Sequence, residues 1–215
     1  MMHTLSALMP GFLRHQARSY HHRRQIVRGT FRSPEPEWDR LGEWVQPGDT
    51  ALDIGANVGH YSCRLSGLVG PMGRVFSFEP IPETFAALAG NARTFPHRNV
   101  TLLNAAVGDE TGLLGFTVPT GRDGSYLAHV DANSALQCFT IAVDELHLPG
   151  RVGFIKIDAE GHEPHVLAGL AKLIARDRPV VLLERNSRAC ATLEAWGYTI
   201  TTGPTRTPNV VALPC

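Results

Sequence analysis

Three groups of residues in this 215-residue chain have types and spacing that could do chemistry. The first is Asp53-Ile54-Gly55-Ala56-Asn57-Val58-Gly59, where glycines fall at a strand-to-helix turn, so the backbone can bend tightly and approach a ligand with no Cβ in the way. The spacing is GxNxG, not GxGxxG, and no GxxxxGKS or GxxxxGKT element occurs, so a dinucleotide pyrophosphate or a P-loop phosphate lacks its cradle. Glu79, twenty residues after Gly59, closes the next strand, where a carboxylate can accept both hydrogen bonds of a ribose diol. Two acids around a glycine loop without phosphate contacts suit S-adenosylmethionine, whose sulfonium and amino groups are cationic. The same residues also suit plain architecture: Gly55 and Gly59 as helix-strand packing, and Glu79 as a cap before Pro80.

The second group is Ile155-Lys156-Ile157-Asp158. Alternation along a strand puts Lys156 and Asp158 on one side and the isoleucines on the other. Lys156, one of two lysines, needs a counter-charge inside a buried strand, because an unpaired buried charge costs several kcal/mol. Asp158, Glu160 or Glu184 could supply it. Methyl transfer from a sulfonium is an in-line displacement, so positioning the acceptor hydroxyl is the larger contribution and a general base the smaller. Asp158 is the candidate to orient or deprotonate that hydroxyl, with Lys156 tuning it; a plain strand-end ion pair is the alternative. The third group, Glu160-Gly161-His162-Glu163-Pro164-His165, offers His162 as a base or substrate contact. Simple helix capping competes, and no metal is expected there.

These groups need a scaffold, and the hydrophobic pattern supplies one. Strands are expected at Thr50 to Ile54, Arg74 to Phe78, Asn99 to Val107, Val152 to Ile157, Val180 to Leu183, Tyr198 to Thr202 and Val210 to Leu213. Helices are expected at Trp38 to Val45, His60 to Val69, Pro82 to Arg93, His165 to Ile174 and Ser187 to Trp196. Repeated β-α-β order requires a parallel sheet with helices on both faces. The short turn from Gly203 to Pro208 makes the last two strands an antiparallel hairpin. The fold class is therefore α/β, a Rossmann-like doubly wound seven-stranded sheet with an antiparallel C-terminal hairpin strand. Leu113 to Val118 and Gln137 to Val143 flank a loop, Pro119 to Ser134, so residues 111–143 form an insertion near the substrate, with Ser125 and Tyr126 within it. His60 and Tyr61 follow the glycine loop and border the ligand or pack the helix start.

Composition narrows the class further. With 43% hydrophobic and 19% charged residues the chain can bury a core, and no apolar run reaches the roughly 18 to 20 residues of a membrane span. The formal net charge of zero conceals an asymmetry: residues 1–34 hold six arginines and no acid, leaving 14 basic against 20 acidic residues in the body, 35–215. The tail is expected to be a frayed terminus or a substrate-side lid; contact with an anionic surface is the alternative. Four scattered cysteines without a CxxC pair point to reduced thiols in a cytosol, and no secretory signal pattern is present. Aromatic residues at 7%, not interleaved with basic ones, give no platform for single-stranded RNA, and nothing calls for DNA.

Taken together, Asp53 to Gly59, Phe78-Glu79-Pro80, Asn104-Ala105-Ala106-Val107-Gly108, Val143-Asp144-Glu145-Leu146 and Phe154 to Glu163 resemble the FkbM-type methyltransferases, a family with the class I S-adenosylmethionine-dependent fold. The resemblance spans roughly residues 35 to 200. It implies S-adenosylmethionine as cofactor, with Asp53, Gly55, Asn57, Gly59 and Glu79 as contacts and Asn104 and Ala105 beside the adenine. It also implies O-methylation of a hydroxyl on a sugar, glycan, lipid or secondary metabolite. The rival functions are ribose 2′-O-methylation of RNA and a non-catalytic interaction module.

Overall fold

The computed structural model describes residues 21–119, 128–202 and 207–215. Five strands lie parallel: β1 (Thr50–Ile54), β2 (Arg74–Phe78), β3 (Val100–Leu103), β8 (Val152–Ile157) and β9 (Val180–Glu184). β11 (Asn209–Pro214) runs antiparallel to β9 and to β10 (Tyr198–Thr202), giving the order β10-β11-β9-β8-β1-β2-β3. The expected architecture is present, including the reversed strand near one edge. The expected turn from Gly203 to Pro208 lies in part outside the described residues, as do Ser125, Tyr126 and residues 1–20 of the basic tail.

Alternation divides the sheet into two apolar faces. On one, Ala51, Val75, Phe154 and Leu182 pack against Trp38, Leu41, Leu65 and Val69 of α2 (Glu37–Trp44) and α3 (His60–Val69). On the other, Leu52, Ile54, Ile155, Ile157 and Leu183 meet Val166, Leu167, Ile174 and Leu193 of α5 (Glu163–Ala168), α6 (Ala171–Asp177) and α7 (Ser187–Ala195). Burial of both faces explains why the central strands are mostly apolar, with Asp53 and Lys156 as the charged exceptions in β1 and β8. Helix α4 (Pro82–Ala92) opens with proline at its first turn, where the missing N–H costs nothing.

Two expected elements divide. The run from Asn99 to Val107 breaks at Asn104, whose side-chain amide donates to the carbonyls of Glu79 and Pro80 at 2.9 and 3.0 Å. Beyond it β4 (Ala106–Val107) leaves the main sheet and pairs with β7 (Gln137–Ile141). β7 also pairs with β5 (Gly112–Thr117), and β6 (His129–Val130) completes a second, four-stranded sheet beside the first. The expected helix from His165 to Ile174 divides into α5 and α6 at Gly169, where a Cβ would lie 1.9 Å from the carbonyl oxygen of Gly108.

Residues 21–28 form a helix, α1, that lies on the body. Ile26 is buried in a cluster with Ala56, Leu88 and Phe95, and Phe31 stacks on His60 with ring centroids 3.6 Å apart. No helix among the described residues is long and apolar enough to cross a membrane.

Candidate active site

The carboxyl ends of β1, β2 and β8 open into a cleft, the place where ligands bind in open α/β sheets. Gly55, Asn57 and Glu79 line one side; Ile81, Ala105 and Phe116 supply an apolar wall. The bend that makes this cleft is left-handed at Gly55, Asn57 and Gly59, with φ of 74°, 49° and 96°. Asparagine enters the left-handed region more readily than most residues, and the Asn57 side-chain oxygen accepts from the Val58 amide at 2.8 Å. Gly55 is required for a second reason: a Cβ there would sit 1.9 Å from the carbonyl oxygen of Asp158, so the β1 and β8 loops could not approach.

Glu79 ends β2 and is buried. Its two oxygens accept from the amides of Asn57 and Ile81 at 2.9 and 3.0 Å, which ties the glycine loop to the start of α4. Burial nevertheless pushes its carboxyl up to about 7, against the opposing pull of those two amides. Each oxygen keeps a lone pair for a diol. Asn104 serves this corner at one remove: it lines neither cleft and holds the backbone of Glu79 and Pro80. Ala105, in contrast, forms part of the cleft wall.

Asp53 also lies behind the surface. It is fully buried, accepts from the Ser62 hydroxyl at 2.6 Å, and has its other oxygen 3.8 Å from the Lys156 ammonium. Lys156 in turn donates to the Gly55 carbonyl at 3.1 Å and to Asp158 at 3.0 Å, and lies over the Tyr61 ring at 5.0 Å. Burial opposes the ammonium charge, but Asp158 and Asp53 outweigh it and hold Lys156 above its ordinary pKa. The sequence-derived set is thus brought together in layers. Gly55, Asn57, Glu79, Ala105, Asp158 and His162 face the first cleft, while Asp53, Gly59 and Asn104 stand behind it.

A second cleft opens on the other side of Asp158. Glu35, Tyr61, Lys156, Glu160, Glu184 and Asn209 line it. The Tyr61 hydroxyl donates to Glu35 at 2.5 Å, joining the segment before α2 to this rim. Glu35 and Asn209 carry no local sequence signal, because their part in the rim depends on long-range packing. His162 lies on the first cleft, stacks on His165 at 4.5 Å, and is pushed down by burial and by that neighbour. His165 faces Asp109 at 3.1 Å. Among the described residues no group of three or more His, Cys, Asp or Glu side chains is placed to hold a metal ion.

The first cleft fits S-adenosylmethionine on charge as well as shape. Among the described residues its walls carry Glu79, Asp158 and Glu160 and no lysine or arginine, which suits a cationic ligand better than a phosphorylated one. A seven-stranded sheet with a reversed strand beside β9, and a glycine bend facing a buried acid on the next strand, define a class I S-adenosylmethionine-dependent methyltransferase. The methyltransferase FkbM domain model matches residues 53–198, and the chain belongs to that family.

Among known proteins, the chain is 30% identical over 138 residues to the hexuronic acid methyltransferase AglP of Haloferax volcanii, covering 62% of this chain and 55% of that one. It is 28% identical over 166 residues to the 31-O-demethyl-FK506 methyltransferase FkbM of Streptomyces tacrolimicus, covering 61% and 63%. A solved FkbM methyltransferase from Methylobacillus flagellatus KT shares the fold with a TM-score of 0.56 at 19% identity, over 83% of this chain and 50% of that one. The chain therefore spans between half and two thirds of the length of these relatives.

Proposed function

We propose that the protein transfers the methyl group of S-adenosylmethionine to a hydroxyl oxygen of a neutral, polyhydroxylated small molecule or glycan. One observation carries this reading: the cleft beside the glycine bend and a second, polar cleft meet at Asp158 and Glu160, so a donor in the first and an acceptor in the second would face each other there. The names of AglP and FkbM, one acting on a hexuronic acid and one on an O-methyl position, support oxygen on a sugar or metabolite as the acceptor atom.

In this reading Glu79 holds the ribose diol, Ile81, Ala105 and Phe116 enclose the adenine, and the Gly55 to Asn57 backbone supports the methionine end. Asp158 orients the acceptor hydroxyl, and Lys156 fixes Asp158. His162 borders the donor cleft as a contact. Alignment of this kind can be worth roughly 7 to 11 kcal/mol. Among the described residues Glu35, Asp158, Glu160 and Glu184 face the second cleft with Lys156 as its one cation, a balance that favours an uncharged acceptor over an anionic one. That balance weighs against the phosphates of RNA. Residues 21–35 are proposed as an acceptor-side cover, since Glu35 accepts from Tyr61 on the rim of the second cleft and Phe31 stacks on the neighbouring His60.

Calorimetric titration with S-adenosylhomocysteine, with Glu79→Ala as control, tests the donor site. A methyl-transfer screen over methyl glycosides and RNA tests the acceptor. Micromolar binding abolished by the substitution supports the donor site; tight binding of NAD or ATP in its place overturns it.

A further inference from the structure

Asp158 and Glu160 are the two side chains common to both clefts, and the structure treats them differently. One Asp158 oxygen is committed to the Lys156 ammonium at 3.0 Å. No hydrogen bond or ion pair among the described residues holds the Glu160 carboxylate. Glu160 is nonetheless fixed at its backbone, in the left-handed region at φ 48°. That conformation is strained for a side-chain-bearing residue and persists only when its surroundings impose it.

The surroundings here are explicit. Buried Glu163 accepts from the amides on either side, Ala159 at 3.3 Å and Gly161 at 3.0 Å, and its second oxygen accepts from the Asn186 side chain at 2.9 Å. This clamp from α5 and the residue preceding α7 leaves the Glu160 side chain projecting where the two clefts join.

We infer that Glu160 is the general base that takes the acceptor's proton, while Asp158 and Lys156 position the hydroxyl. This rests on the donor and acceptor assignment made above. The acceptor oxygen bonds the methyl carbon as the carbon-sulfur bond breaks, the sulfur keeps that electron pair as a neutral thioether, and the hydroxyl proton passes to the Glu160 carboxylate.

Electrostatics suit this division of labour. The charged and titratable groups around Glu160 are Lys156 and Asp158 from β8, Glu163 and His162 at α5, Glu184 at the end of β9, Glu35 before α2 and Tyr61 of α3. Partial burial and the charges of Asp158, Glu184 and Glu163 push Glu160 up to about 7, with Lys156 opposing. A base poised near the working pH is ionised often enough and still basic enough to accept a proton.

The test uses the full chain and its Glu160→Gln and Asp158→Asn variants. Carboxyl 13C resonances are followed against pH with S-adenosylhomocysteine bound. A resonance that titrates near pH 7 and is missing from Glu160→Gln is the expected result; a Glu160 midpoint below about pH 5.5 overturns the proposal. On whichever methyl glycoside the wild type methylates, Glu160→Gln should lower kcat at saturating donor by roughly 100-fold and remove the acidic limb of its pH profile. S-adenosylhomocysteine affinity should stay within about threefold. Asp158→Asn should keep that acidic limb. Unchanged kcat in Glu160→Gln overturns the base alone, whereas a wild type that does not bind S-adenosylhomocysteine overturns the donor assignment beneath it.

Discussion

Lys156 stands directly opposite Asp53 in the β1-β8 ladder, yet its ammonium lies closer to Asp158, 3.0 Å against 3.8 Å. One buried cation therefore joins a carboxylate in the core to another in the clefts. Lys156→Met should leave Asp53 buried without its counter-charge, at a cost of roughly 3 to 5 kcal/mol in urea unfolding. Burial raises the Asp53 pKa and Lys156 opposes that, so the loss should grow as pH rises above the ordinary carboxyl range, where the folded state holds a proton that the unfolded chain has released. Asp53→Asn combined with Lys156→Met should recover most of the stability but not the activity.

Glu79 gives a pH dependence of a different kind. Its folded pKa of about 7 exceeds the ordinary value of 4.5, so the ligand-free native state binds a proton that the unfolded chain has already lost between those values. Stability should therefore fall as pH rises from 4.5 to 7, by roughly 3 kcal/mol at most. A ribose diol donating to the ionised carboxylate reverses the preference. S-adenosylhomocysteine affinity should weaken about tenfold per pH unit below 7, and Glu79→Gln should bind weakly with no such slope, as calorimetry at several pH values will show.

The two glycines of the bend should separate binding from folding. Gly55→Ala drives a methyl into the Asp158 backbone, so it should abolish S-adenosylhomocysteine binding as well as destabilise the fold. Gly59→Ala meets Leu88 and Phe95 at 2.6 and 2.9 Å in a left-handed conformation, away from both clefts. It should cost roughly 1 to 3 kcal/mol in thermal or urea unfolding while keeping affinity within a few fold.

Acceptor charge supplies a fourth test. With four carboxylates around the second cleft, a neutral methyl hexoside should be methylated in preference to the matching hexuronate, by at least tenfold in kcat/KM at low salt. Raising the ionic strength should narrow the gap. Glu184→Gln, which removes one of those charges from the end of β9, should narrow it as well.

Much of this architecture was legible from pattern alone. Thr50 to Ile54, Arg74 to Phe78 and Val152 to Ile157 are strands with the expected ends, because short, mostly buried apolar runs set between turn residues leave little choice. Asn99 to Val107 misled for the same reason, since apolar content says nothing about which sheet a residue joins. The break comes from the Asn104 side chain bonding the β2-α4 turn, a contact 25 residues distant in the chain. Alternation correctly put Lys156 beside Asp158. Register between β1 and β8 is invisible in sequence, so the opposition of Asp53 and Lys156 and the burial of Asp53 could be read only from the fold.

The two clefts differ in which stretches of chain enclose them. Every described residue lining the first falls between Ile54 and His162, inside the span matched by the family model, but Glu35, Pro208 and Asn209 of the second lie outside it. The second cleft thus draws part of its rim from stretches of chain that the first does not use, while Asp158 and Glu160 serve both. Transplanting residues 21–45 from a relative should redirect which alcohol is modified while leaving nucleoside affinity untouched.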